Sequence, residues 1–524
     1  MSSCEPWSLH ELSRRRAIGL LAGAGAWFTL ASCTSESESE SDDGGSASSS
    51  VSTSTSEVPT ATTVGPTTEV GDLAIRLWAE PTTAEIMAGI STDVYSFDAE
   101  VIDGDPSSID PSDSYLGPTL HFRQGQRVRV VFENWLPDES IVHWHGLVVP
   151  QDQDGQPSDA VGPGETYDYD FVVTNEPGTY WYHPHPHGKT GEQVYRGLAG
   201  LIVVHGDEPD LPTGDNDIAL VLQDRRLDAG GQLRYVNGMH DTMAGFVGDA
   251  LITNGVADYS VDVRREPYRI RLLNGANSRT QFLRWSNDDP ITAIATDGSL
   301  LPEPVTAPGL VITPAQRTDI WVDFSSLEPG TTIELNAADL FIENGAGGAP
   351  VLTGDVAATF HVIDSPAAPG SLPSSLGSEP DFGIADAVNA SRPKQFTLST
   401  RRMAHWINNL QWEGRSAVEL ETVAANSVEV WEFVNQSPMP HPMHLHGRSF
   451  RVTGRSWDDD GLAEAWQTIE AGVIDTGLRD TVLVWPGQRV QIVVPFAEHL
   501  GYFLYHCHIL EHEDSGMMRN FRAI

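Results

Sequence analysis

The sequence contains few cysteines, three in 524 residues. Cys4 and Cys33 lie in the N-terminal segment, and Cys507 stands alone in the rest of the chain. A single thiol cannot form an intrachain disulfide, so a disulfide-stabilised scaffold is excluded for the folded part. Packing, reactivity and metal binding remain as roles for Cys507.

Positive charge is also scarce. Lys and Arg number 31 against 73 Asp and Glu, which gives a formal net charge of −42. Such a surface repels nucleic acid and anionic lipid, so neither is expected as a partner, and it keeps a protein soluble. It would also suit high salt, because screening weakens the repulsion between carboxylates.

Long hydrophobic runs are missing beyond the N-terminal segment. The apolar stretch 17–30 is too short for a stable transmembrane helix. It follows the paired arginines of Ser13-Arg14-Arg15-Arg16 and closes with Leu30-Ala31-Ser32-Cys33. This pattern predicts a twin-arginine export signal over 1–32, lipidation at Cys33 and an extracytoplasmic location; an ordinary signal peptide with a chance cysteine is the alternative. Residues 33–71 are almost entirely Ser, Thr, Glu, Asp, Gly, Val and Pro, which predicts a disordered tether.

From Leu73 onwards, short alternating strands are separated by turn residues, a pattern typical of β-sandwiches. Two stretches of the chain repeat the same order of motifs. In each, a strand ending in Asn leads to His-x-His-Gly (143–146 and 444–447), and a later run ends in a second His-x-His (183–185 and 506–508). A weaker copy in the middle has no paired histidines. We therefore predict an all-β chain of three related sandwich domains, near 72–206, 214–365 and 390–524, with a linker at 366–389.

The paired histidines indicate a metal site. In an extended strand, residues i and i+2 point to the same side, so each pair presents two imidazoles together. One such pair is a weak signal, whereas four at matching positions in two repeats are hard to attribute to chance. The pairs are His143/His145, His183/His185, His444/His446 and His506/His508. Imidazole ligands suit copper, zinc, iron or nickel.

Cys507 decides among these metals. It lies between His506 and His508 and so points to the opposite face of the same strand. The side chains that would complete its ligand set are His441, His512 and Met517. Two His, one Cys and a weak axial Met form the blue-copper electron-transfer set, whereas structural zinc would favour more thiolates. The sequence therefore predicts an electron path from this copper to a second cluster that holds three more.

The motifs HWHG (143–146), HPH (183–185), HPMHLHG (441–447) and HCHILEHEDSGM (506–517) resemble those of the multicopper oxidases. Within that family they are most similar to three-domain laccases, namely bacterial spore-coat laccases and bilirubin oxidases, and the resemblance covers 73–524. It implies three tandem cupredoxin-like Greek-key domains and four copper ions. Pro184 and Arg448 depart from the family pattern, but neither occupies a ligand position.

The resemblance also implies which residues bind each copper. The implied type 1 ligands are His441, Cys507 and His512, with Met517 axial. The implied type 2 ligands are His143 and His444. The implied type 3 ligands are His145, His183 and His508 on one ion, and His185, His446 and His506 on the other. Asp154 and Glu513 match acids that relay protons near the type 2 and type 3 sites, although either could be an ordinary turn or surface acid.

The implied activity is a laccase-type oxidation of phenols and aromatic amines, coupled to four-electron reduction of dioxygen to water by a monomer. The substrate would give its electron through an exposed ligand, His512. An oxidase of cuprous or manganous ions is the alternative. The chain has nine methionines and no methionine-rich insertion, and Met239, His240 and Met243 are the nearest approach to one. A copper-free structural relative is disfavoured because every ligand position is filled.

Overall fold

The computed structural model describes residues 71–235, 238–339, 351–458, 463–464 and 466–524. The predicted export signal at 1–32 and the predicted tether, apart from Gly71, lie outside the described residues. Among the described residues, no helix is long and apolar enough to cross a membrane.

The first nine strands form two sheets. They are β1 (Leu73–Met87), β2 (Ile90–Asp103), β3 (Ile109–Asp110), β4 (Thr119–Arg123), β5 (Arg127–Asn134), β6 (Val142–His145), β7 (Thr166–Val172), β8 (Gly178–Pro184) and β9 (Gly200–His205). One sheet has the order β2-β1-β5-β7 and the other β3-β4-β9-β8-β6. Inward positions alternate along β1, where Leu73, Ile75 and Leu77 are fully buried, as the period of two of a half-buried strand requires.

The next eleven strands form a second pair of sheets. They are β10 (Asp217–Arg225), β11 (Ala250–Thr253), β12 (Ser260–Val263), β13 (Pro267–Asn274), β14 (Gln281–Trp285), β15 (Ile291–Thr296), β16 (Ser299–Ala307), β17 (Leu310–Ile312), β18 (Arg317–Asp323), β19 (Thr332–Asp339) and β20 (Val351–Val362). Their orders are β11-β10-β13-β18-β15-β16 and β12-β20-β19-β14-β17. The side chains between them include Leu272, Leu335 and Phe360, all fully buried.

The last ten strands form the third pair. They are β21 (Lys394–Arg401), β22 (Ala404–Ile407), β23 (Thr422–Val423), β24 (Val428–Asn435), β25 (His441–Leu445), β26 (Arg451–Trp457), β27 (Thr481–Val484), β28 (Gln488–Pro495), β29 (Gly501–Cys507) and β30 (Met518–Ala523). Their orders are β22-β21-β24-β28-β26 and β23-β30-β29-β25-β27. Among the short helices of the described residues are α1 (Thr190–Arg196), α2 (Met239–Ala244) and α3 (Leu510–Asp514).

The predicted all-β class and the three sandwiches are therefore confirmed. Each pair of sheets has a hydrophobic core of its own, because each sandwich buries the inward faces of its two sheets. Every pair also falls inside one of the predicted ranges 72–206, 214–365 and 390–524, whose limits stay predictions.

Candidate metal centres

Two strand pairs, one in the first sandwich and one in the third, supply the paired histidines. β6 runs antiparallel to β8, with His143 opposite His183. β25 runs antiparallel to β29, with His444 opposite His506. In three of the pairs the second histidine directly follows the end of its strand, and its backbone N–H still bonds to the neighbouring chain segment. These residues are His185, His446 and His508. The first and third sandwiches thus place equivalent pairs of histidines around one shared centre.

Cys507 and two histidines form the first cluster. The Cys507 Sγ lies 3.3 Å from His441 Nδ1 and 3.6 Å from His512 Nδ1. Nitrogen and sulfur ligands about 2.0 and 2.3 Å from one ion would be separated by roughly 3.5–3.8 Å in a trigonal set. All three side chains are buried, and Met517 is fully buried in the same core. This cluster is therefore a mononuclear N₂S site, with Met517 beside it.

The other eight histidines form a second cluster, each 0–1% exposed. Three sets of nitrogen atoms lie close enough to share an ion: His143, His145 and His444; His145, His183 and His508; and His185, His446 and His506. His446 Nε2 is 3.1 Å from His506 Nε2, and His145 Nδ1 is 3.4 Å from His183 Nε2. The sets overlap at His145, so the cluster has the form of a polynuclear metal site.

The hydrogen bonds of these rings indicate which nitrogen faces the centre. His143 Nδ1 donates to the Asp154 carbonyl oxygen (2.7 Å), and His444 Nδ1 donates to the Asp480 carbonyl oxygen (2.9 Å). The Nε2 atom of each then carries a lone pair, and neither has a hydrogen-bond partner among the described residues although both are buried. Both ring nitrogens of His508 are likewise buried and have no hydrogen-bond partner among the described residues. Buried lone pairs facing one another need a cation, and metal ions fit this requirement.

The protonation state suits metal binding as well. Burial, followed by repulsion from neighbouring imidazoles, lowers the pKa of His145, His444 and His446 well below the ordinary 6.5. Neutral imidazoles with free lone pairs are therefore present at neutral pH, as a metal ligand requires. Burial raises the pKa of the Cys507 thiol, so a thiolate there needs a metal ion beside it.

The comparisons with known proteins agree with this geometry. Two segments, 101–209 and 387–523, match sequence profiles described as Multicopper oxidase. A multicopper oxidase of Staphylococcus epidermidis is 30% identical over 415 residues, covering 78% of this chain and 82% of the relative. The chain belongs to the multicopper oxidase family. A laccase of Haloferax volcanii is 32% identical over 465 residues, covering 78% of this chain and 76% of the relative.

The fold of a solved multicopper oxidase is similar too. The crystal structure of McoA from Aquifex aeolicus superposes with a TM-score of 0.73 at 33% identity, covering 86% of this chain and 96% of that one. Membership of the family makes copper the metal implied for the clusters, and the buried N₂S set with its facing imidazoles fits that metal.

The two carboxylates predicted from the sequence lie at the histidine cluster of this multicopper oxidase. Asp154 is fully buried, and its Oδ2 accepts a hydrogen bond from His446 Nδ1 (2.9 Å). Its Oδ1 has no hydrogen-bond partner among the described residues. The Glu513 carboxylate lies 3.2 Å from His506 Nδ1 and 3.5 Å from His185 Nδ1. Neither acid is on the surface, so the alternative of an ordinary surface carboxylate is wrong for both.

The exposed position expected for His512 is wrong, because its side chain is fully buried. His405, which also is buried, stacks on it with ring centroids 3.7 Å apart. The Nε2 atoms of both rings lie within hydrogen-bond distance of the Met243 carbonyl oxygen, at 3.2 Å for His512 and 3.1 Å for His405. The segment containing α2 and the β22 strand together cover the ligand that was expected to face solvent.

Sequence reasoning missed three residues of this multicopper oxidase around the clusters, two that contact cluster histidines and one that holds the second of these in place. His405 lies outside the histidine motifs, so no local pattern marks it, although its ring stacks on His512. Asp480 contacts His145 and His444, and Arg317 of the middle sandwich holds Asp480. Arg317 lies in the weaker middle copy of the repeat, and this was the one sequence feature that could have pointed to it.

Proposed function

We propose that the protein is a laccase-type multicopper oxidase that binds four coppers and couples one-electron oxidation of phenols or aromatic amines to reduction of dioxygen to water. One observation carries the proposal. Cys507 belongs to the mononuclear N₂S cluster, while its chain neighbours His506 and His508 belong to the histidine cluster. A covalent path of a few bonds thus joins a one-electron site to a polynuclear one.

The residues divide the work between the two clusters. His441, Cys507 and His512 would hold one ion, His143 and His444 a second, and the two remaining sets of three histidines a pair. Copper, when bound, supplies one-electron transfer at the first site and multi-electron reduction of dioxygen at the others. The chain itself fixes the ligand rings through their second nitrogens, keeps both clusters out of solvent and provides the covalent path through Cys507.

Protons are the other requirement, because reduction of dioxygen to water consumes four of them per molecule. Asp154 spans two ligands, through its carbonyl oxygen to His143 and through Oδ2 to His446. Its Oδ1, which lies 3.4 Å from His143 Nδ1 without a hydrogen bond, is available to hold a proton at the cluster. Glu513 lies against His185 and His506 on another side. We infer that these two carboxylates deliver protons as general acids.

Oxygen uptake by copper-loaded protein, with a phenol, a cuprous salt and a manganous salt in parallel, tests the substrate class, and copper analysis tests the number of ions. Fast uptake with the phenol and about four coppers per chain are the expected results. The laccase of Haloferax volcanii supports the aromatic class by its likeness to this chain. The proposal would be refuted if none of the three substrates supported oxygen uptake, or if the protein held no copper.

A metal-ion oxidase is the second candidate, favoured by α2. This helix carries Met239 (66% exposed) and His240 on the surface, and the Met243 backbone contacts His512 directly. Thioethers suit cuprous ions, so a soft cation bound here would lie close to the N₂S cluster. Met239→Leu should lower uptake with the cuprous salt and leave uptake with the phenol unchanged; equal rates in variant and parent would count against this candidate.

For location, we propose export by the twin-arginine route and lipidation at Cys33, with the mature protein a monomer outside the cytoplasm. The paired arginines at 14–15 and the Leu-Ala-Ser-Cys sequence ending at Cys33 support this proposal. Arg14→Lys combined with Arg15→Lys should leave the protein in the cytoplasm. Cys33→Ala should be exported but released from the membrane fraction; its retention there would refute the anchor.

A further inference from the structure

None of the histidines assigned to the two clusters lies in the middle sandwich, but one arginine of this sandwich binds an aspartate that contacts the histidine cluster. Arg317, the first residue of β18, is fully buried and uses all five of its N–H groups. Two of them donate to both oxygens of Asp480, at 2.9 and 2.6 Å. The other three donate to backbone carbonyl oxygens of Thr179, Ala315 and Asp297. Its guanidinium is thereby fixed between all three sandwiches.

Asp480 in turn contacts two rings of the cluster. Its Oδ1 accepts a hydrogen bond from His145 Nε2 (3.1 Å), and its backbone oxygen accepts one from His444 Nδ1 (2.9 Å). The two rings stack with centroids 3.7 Å apart and an interplanar angle of 15°. Since the proton of His145 is on Nε2, its lone pair is on Nδ1, which faces His183. Asp480 thus sets the tautomer of His145 through its carboxylate and the orientation of His444 through its backbone oxygen.

We propose that Arg317 and Asp480 form a positioning unit through which the middle sandwich holds the type 3 ligand His145 and the type 2 ligand His444 in place. The inference rests on the proposed function, since it takes these histidines as copper ligands. A carboxylate that accepts from the far nitrogen of a ligating histidine fixes the ring and makes it a stronger donor. Neither Arg317 nor Asp480 needs to touch copper or substrate for this role.

The arginine is what keeps the carboxylate buried in its ionised form. An unpaired carboxylate in a dry interior is strongly unfavourable, whereas a two-pronged guanidinium pair satisfies both oxygens. Lysine has a single charged nitrogen and cannot reproduce the fork. Arg317→Lys therefore keeps the charge, but its three N–H donors leave at least two of the five acceptor oxygens without the donor that Arg317 supplied.

Three variants test the proposal on full-length, copper-loaded protein: Arg317→Lys, Asp480→Asn and the control Arg271→Lys. Arg271 is another buried arginine of the middle sandwich, and it pairs with Asp217 and Asp319 without contacting any cluster histidine. Copper per chain, visible absorption and electron paramagnetic resonance report each centre separately, and thermal unfolding of copper-free protein reports stability. The parent protein in the same measurements tests the proposed function, because absence of copper there refutes that proposal and not the role of Arg317 alone.

Arg317→Lys is expected to weaken copper binding at the histidine cluster by about 10- to 100-fold while the blue centre at Cys507 keeps its absorption. Asp480→Asn leaves the Arg317 charge unpaired and turns an amide N–H₂ toward one of the Arg317 donors, so the same selective loss of copper is expected. Arg271→Lys should lower the unfolding midpoint without selective loss of copper. Unchanged copper at the histidine cluster in both variants, or parallel loss from both centres as stability falls, would overturn the proposal.

Discussion

Gly146 gives a sharp test of how tightly the Arg317–Asp480 pair is packed. Its φ is +88°, and a Cβ added there would lie 2.6 Å from Asp480 Oδ2 and 2.8 Å from Arg317 Nη2. Alanine in this left-handed conformation costs roughly 1–2 kcal/mol, and overpacking against groups that cannot move adds about 1–3 kcal/mol. Gly146→Ala is therefore expected to destabilise the copper-free protein by roughly 2–5 kcal/mol, measured by urea unfolding.

Gly447 is a matched control, because it ends the equivalent His-x-His-Gly motif in the third sandwich. Its φ is +67°, and the nearest atoms to an added Cβ are ring carbons of Phe503 at 3.1 and 3.3 Å. Gly447→Ala should therefore cost little beyond the backbone contribution of roughly 1–2 kcal/mol. Gly146→Ala should in addition lose copper from the histidine cluster. Equal destabilisation by the two substitutions would refute the reasoning, since only Gly146 faces the buried ion pair.

Four other substitutions or conditions give defined outcomes. Cys507→Ser should abolish the visible absorption of the blue centre while copper remains at the histidine cluster; retained colour would contradict the N₂S assignment. Asp154→Asn should slow oxygen reduction by about 100-fold with normal reduction of the blue centre by substrate, as stopped-flow absorption would measure; equal slowing of both steps would argue against proton delivery. Burial lowers the pKa of His185 to about 4. As the pH falls below 6.5, the unfolded chain therefore binds a proton at this residue before the folded chain does. The unfolding free energy of copper-free protein should be highest above pH 6.5 and fall by roughly 3 kcal/mol between pH 6.5 and 4. A pH titration of the unfolding free energy that stays flat over this range would exclude that contribution. His405→Ala should lower the reduction potential of the blue centre in a redox titration, because it admits water beside His512. His499, which is partly buried and belongs to neither cluster, is the control, and His499→Ala should leave the potential unchanged. An unchanged potential in His405→Ala would show that the stacked ring has no effect.

Much of the molecule follows from local sequence pattern. Alternating burial along strands such as β1 comes from the two-residue period of an extended chain, which is visible in the sequence itself. The same period places His143 with His145, and it sends Cys507 to the opposite face from His506 and His508. Repetition of these motifs in two parts of the chain predicted two equivalent sandwiches and one shared cluster. Asp154 and Glu513 were identified differently, by the match of their positions to acids of the multicopper oxidases.

The environment of the clusters was decided by tertiary structure. Arg317 and Asp480 are 163 residues apart, and Asp480 is 335 residues from His145, so no local pattern joins them. The burial of His512 likewise depends on β22 and on the segment containing α2, which come from different sandwiches. Ligand spacing is set by the geometry of one strand and is therefore written in the sequence. The groups that orient, charge and cover those ligands are brought in by the packing of three sandwiches, and only the folded chain shows which they are.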